Sequence, residues 1–135
     1  SAKEDANPYN MVNGQVVVYE PMGPIVYLSK DKHAARLKLV IERRPAAVML
    51  SLDLATHTDK DGSDALGKVV KQLEQEKIAV KLCLPPGLEE SVIGRSAWVA
   101  ALREGGHVHA VRADALRAAQ SAPAAEEPAK VEGAV

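Results

Sequence analysis

The chain has 135 residues, 47% of them hydrophobic and 26% charged, enough for one domain with a real core. With 17 basic and 18 acidic residues the formal charge is -1, which gives no electrostatic case for nucleic acid or for an anionic membrane surface. Aromatic residues make up 3%, with no Phe, so the core must be built from Val, Leu, Ile and Ala, and a single cysteine, Cys83, excludes an internal disulfide.

No apolar run reaches the length that crosses a bilayer, and the start "SAKEDANPYN" lacks the features of a signal peptide, so a cytoplasmic domain without membrane insertion is expected. Residues 1 to 14 are polar, carry Asn7-Pro8 and Asn13-Gly14, and read as a leader or linker. "QVVVYE" (15–20) and "PIVYLS" (24–29), joined by Pro21-Met22-Gly23, predict an antiparallel hairpin. Asp31 opens a helix whose face carries Ala34, Leu37, Val40 and Ile41, and Pro45 ends it near Arg43 or Arg44.

"AAVMLSL" (46–52) is an unbroken apolar run of strand length, as in a strand buried on both sides of a parallel sheet. An acidic loop follows, then a helix to about residue 76 with Ala65, Leu66, Val69, Val70 and Leu73 on one face. "IAVKLCL" (78–84) is a further strand. Residues 88 to 104 predict a helix interrupted at Gly94 and stopped by Gly105-Gly106. A short strand (107–111) and a short helix (113–119) close the domain, and residues 121 to 135 have the composition of a disordered tail. The order predicts an α/β fold: a mixed, mostly parallel sheet with an N-terminal antiparallel hairpin and about four helices, spanning residues 15 to 120. The loops at the carboxyl ends of its strands would share one rim.

The acidic loop invites a test for chemistry. Placing Gly62 at the sixth position of a calcium loop puts His57 and Lys68 where carboxylates belong, so the pattern fails. His57, Asp59 and Asp61 with the His107/His109 pair form a candidate for a transition metal or an enzyme site, but match no zinc spacing. No phosphate-binding loop or nucleophile elbow is present, and no cofactor is implied. Asp61 or Ser63 is expected to cap the following helix. Trp98 reads as a helix-packing residue and Cys83 as a buried, inert thiol.

Two segments together resemble the STAS domain shared by sulfate-type (SulP) anion transporters and anti-sigma factor antagonists. "VVVYEPMGPIVYLSKDKHAARL" is similar to the transporter branch's opening, and "AAVMLSLDLATHTDKDGSDALGKVVKQLEQEKIAVKLC" to the family's central block. Where switchable members keep a phosphorylatable serine before the glycine, this chain has Asp61, within Asp59-Lys60-Asp61-Gly62. The resemblance implies a non-catalytic regulatory domain whose partner-binding residues are Asp59, Lys60, Asp61, Gly62 and Ser63. The implied partner is the membrane domain of its own transporter or a soluble regulatory protein, with a homodimer left open. The alternative is a free-standing antagonist-like partner switch, with Ser63 as a substitute phosphosite.

Overall fold

The computed structural model describes residues 9–12, 16–25 and 30–123. Five strands form the main sheet: β1 (Tyr9–Val12), β2 (Val16–Tyr19), β4 (Ala47–Ser51), β6 (Ala79–Cys83) and β7 (Val108–His109), in the order β1-β2-β4-β6-β7. Only β1 runs antiparallel to its neighbour. A second sheet pairs β3 (Gly23–Ile25) with β5 (Ala55–Thr58) in parallel. Four helices complete the described residues: α1 (Lys30–Arg43), α2 (Lys60–Gln75), α3 (Ala97–Glu104) and α4 (Arg112–Gln120).

Every residue of β4 is buried, as its unbroken apolar run predicts. Side chains alternate between the faces of a strand, so Val48 and Leu50 join Val17, Tyr19, Val80 and Leu82 beneath α1, α2 and α3. Ala47 and Met49 point the other way, with Val16 and Val18, toward Ala115 and Ala119 of α4. Those two alanines lie four residues apart, on one helical face, and are fully buried. Their small side chains let α4 settle close to the sheet.

The hairpin expected from residues 15–20 and 24–29 is not what forms. The antiparallel partner of β2 is β1, one segment earlier, in a stretch read as leader. Gly23 adopts φ +80 and its amide donates to the Leu54 carbonyl at 2.9 Å, which carries the chain off the main sheet toward β5. Pro24, with no N–H for a ladder, sits at a register shift. Asn13-Gly14, residues 26–29 and the tail from residue 124 lie outside the described residues.

Helix ends follow their local chemistry. Lys77, at φ 66, donates to the Glu74 carbonyl, and the Ile78 amide reaches back to Leu73 at 3.0 Å. Gly106, at φ 77, and His107 close α3 in the same way onto Arg103 and Leu102. Both are Schellman stops. The interrupted helix before α3 resolves into a 3-10 turn (Pro86–Leu88) and irregular turns up to Ser96. A Cβ on Gly94 would stand 2.3 Å from the Leu88 and Glu89 carbonyl oxygens, so this turn admits only glycine.

One polar pair is buried in the main core. Tyr19 of β2 and His33 of α1 share a hydrogen bond between the phenol oxygen and Nδ1, their rings edge-on at 5.7 Å. Burial, reinforced by Arg36 and Lys32, holds the imidazole down at about 4. Burial likewise pushes the Tyr19 phenol up to about 12.

The unfolded chain takes up a proton on His33 near 6.5, the folded chain only near 4, so protonation favours unfolding across that window. Stability is therefore complete above 6.5 and falls as the pH drops toward 4, by at most about 1.4 kcal/mol per pH unit. Urea unfolding of His33→Gln between pH 7 and 4 should show a flatter decline than the parent. In the same assay, Leu82→Ala, which empties a fully buried site, should cost about 2–5 kcal/mol. Exposed Leu39→Ala should change stability by less than about 0.5 kcal/mol.

Candidate functional site

The rim at the carboxyl end of β4 is built by a chain that leaves the core abruptly. The Leu52 amide still donates to Cys83 at 3.0 Å, then Asp53 and Leu54 turn outward and β5 carries the chain to Asp59. Asp59 is extended (φ -96, ψ 173), and its Oδ1 accepts from the Gly62 amide at 2.7 Å. It is the N-cap of α2, in place of the Asp61 or Ser63 expected from sequence. The preference follows from reach: a cap accepts from an amide two or three positions on, and only a residue just before Lys60 can do so.

The five residues expected at a partner surface therefore divide. Lys60 and Asp61 are exposed and Asp59 is half-exposed, while Gly62 and Ser63 are buried. Lys60 bonds Asp64 at 3.0 Å across one helical turn, and that hydrogen bond holds its ammonium above the usual lysine range. Asp61 lines a groove of about 510 Å³ between α1 and α2, together with Asp31, Asp64 and Lys68.

Ser63 faces inward to Trp98, whose indole N–H donates to its Oγ at 3.2 Å. One turn further along α2, Gly67 leaves the room the ring needs, since a Cβ there would lie 2.6 Å from the indole Cδ1. Ser63 and Gly67 together form a slot for Trp98. A glycine inside a helical apolar pattern signals such a close approach, so the slot has a signature in the sequence at Gly67.

A second polar group at the same end of the sheet has no local sequence signature. Arg112, opening α4, donates to Glu20 from Nε at 3.1 Å and from a terminal nitrogen at 3.4 Å. The Ser51 hydroxyl donates to the same carboxylate at 2.5 Å, and the Asp53 amide donates to Ser51 Oγ. The Cys83 thiol donates to Asp53 Oδ1 at 3.3 Å; burial above all, then that bond, pushes it up to about 12. It stays a thiol at neutral pH, which suits a buried donor and not a nucleophile.

The histidines do not assemble. His57 is exposed on β5, while the Lys81 ammonium donates to His107 Nδ1 at 2.8 Å. The His107 imidazole is lowered by burial and then by Lys81. His109 Nε2 is buried without a hydrogen-bond partner among the described residues. No three His, Cys, Asp or Glu side chains among the described residues are grouped to hold a metal ion. No helix there is long and apolar enough to cross a membrane.

With this geometry in view, comparison with known proteins places the fold. The family model described as the STAS domain matches residues 8–92. The chain belongs to the STAS domain family. A structure of the anti-sigma factor antagonist SpoIIAA in its unphosphorylated form superposes with a TM-score of 0.60 at 14% identity, covering 84% of this chain and 96% of that one. A sulfate transporter family protein from Wolinella succinogenes gives 0.59 at 23%, covering 82% and 88%. The murine Solute Carrier 26 family member A9 anion transporter gives 0.60 at 16%, covering 78% of this STAS chain but 18% of the transporter. No curated protein matches the sequence. At these identities the structural neighbours share the fold, on both branches of the family.

The cap assignment is open to a direct check. Asp59→Ala should cost about 1 kcal/mol in urea unfolding. Asp61→Ala, which removes only a first-turn charge near the helix dipole, should cost at most about 0.5 kcal/mol.

Proposed function

We propose that this STAS domain is a non-catalytic regulatory module of a SulP-type anion transporter, docking on the membrane domain through the rim at the start of α2. The observation that carries the reading is the division of the rim into a displayed pair and a closed hydroxyl. Lys60 and Asp61 stand in solvent on a capped helix end, while Ser63 is 1% exposed with its Oγ engaged by Trp98. Such a surface offers fixed charges and no accessible serine, which suits a standing contact rather than a phosphorylation switch. The similarity to the Wolinella sulfate transporter family protein and to the anion transporter supports the same branch.

A second reading, the free-standing partner switch, draws on the coverage of 96% of the SpoIIAA chain. It requires a modifiable hydroxyl at the rim, and Ser63 would have to leave the Trp98 slot to serve. The buried contact weighs against it.

Binding of the full chain to the detergent-solubilised membrane domain encoded with it tests the proposal. Asp61→Lys should weaken that binding at least about fivefold, near 1 kcal/mol, without lowering the unfolding midpoint. Unchanged affinity would remove the rim as the contact. A parent gene lacking upstream hydrophobic spans would overturn the transporter assignment, and stoichiometric phosphorylation of Ser63 in the folded protein would favour the switch.

A further inference from the structure

A groove of about 630 Å³ lies on the other side of α2 from the acidic one, between that helix and the segment running from Val92 into α3. Its floor holds Trp98, half-buried in its slot against Gly67, and Val92, which is 45% exposed. Its edges carry Lys60, Lys68, Lys71 and Arg95, against one acid, Asp64. Lys60 is tied to Asp64 and Arg95 to Glu90. Lys68 and Lys71 are exposed and have no ion-pair partner among the described residues. In a chain of net charge -1, this is a local excess of positive charge around an apolar floor.

We propose that this groove is a docking site for an acidic polypeptide segment carrying one bulky apolar residue. The apolar residue covers Trp98 and Val92, and the carboxylates meet Lys68 and Lys71. Charge complementarity selects the sign of the partner, and the apolar floor selects its kind. Lys68 and Lys71, the cations without an ion-pair partner among the described residues, stand one helical turn apart beside Trp98 and Val92. A single phosphate group supplies charge but nothing to cover that floor, whereas a short acidic peptide with an apolar residue supplies both. The half-buried indole and the exposed valine give such a peptide an anchor of the type that dominates binding in small interfaces. This site borders the rim at Lys60 and Ser63 but does not rest on the rim reading, since the residues that meet the ligand, Lys68, Lys71, Val92 and Trp98, lie outside Asp59 to Ser63.

Trp98 is the sole tryptophan, so its emission reports occupancy directly. The test titrates the full chain with a twelve-residue peptide of alternating Glu and Ala around one central Leu. The proposal expects saturable change in Trp98 emission, weakening as salt rises. Replacing the central Leu by Ser should weaken binding about tenfold. Lys68→Glu with Lys71→Glu, both on the exposed face and therefore compatible with folding, should weaken it at least about tenfold. Asp61→Ala should leave it unchanged, which separates this groove from the rim. The proposal is overturned by no saturable response, by equal affinity for a Lys-for-Glu peptide, or by an unchanged affinity in the double variant. It is also overturned if inorganic phosphate or phosphatidylglycerol vesicles give the response and the peptide does not.

Discussion

Burial of β4 on both faces is the constraint from which the rest of this STAS domain follows. Ala47 to Ser51 are flanked by β2 and β6, and no residue among them reaches solvent. A strand in that position needs a helical layer on each side. The chain meets the demand unequally, with three helices over Val48 and Leu50 and one over Ala47 and Met49. Because β2, β4 and β6 run the same way, their carboxyl ends reach the surface together. Their last polar groups must be satisfied there.

That need explains the construction of the rim. Ser51 is the first hydroxyl after an apolar run, and it is fully buried. Its bond to Glu20, and the hold of Arg112 on the same carboxylate, tie β2, β4 and α4 into one polar cluster. Cys83 completes the row through Asp53. Left unpaired, such groups would each cost about 1–3 kcal/mol. Mutual pairing satisfies them and ties the ends of the strands together at the rim.

The same economy shapes α2. Its first turn is stabilised by a cap outside the helix, which frees Lys60 and Asp61 to face solvent. Its inward face gives up bulk at Gly67 so that Trp98 can close over Ser63. The exposed cations of the next turns, Lys68 and Lys71, are then presented beside an aromatic floor. One helix thus borders two surfaces of different character, an acidic groove toward α1 and a more basic one toward α3, with Asp64 and Lys68 on the crest between them lining both.

Local chemistry was written in the sequence. The apolar run of β4, the stripe of Leu66, Val69, Val70 and Leu73, the Gly105-Gly106 stop and the inert Cys83 all read directly, because each depends on residues within a few positions of one another. The family block could be read too, through Gly23-Pro24 and Asp59 to Gly62. Tertiary structure alone decided which strand pairs with β2, that β3 leaves the main sheet for β5, and that Ser63 is closed by Trp98, 35 residues away. It also decided the link between Glu20 and Arg112, 92 residues apart. Periodicity reports which face of an element is apolar, but partners far apart in sequence are chosen by the packing that brings those faces together.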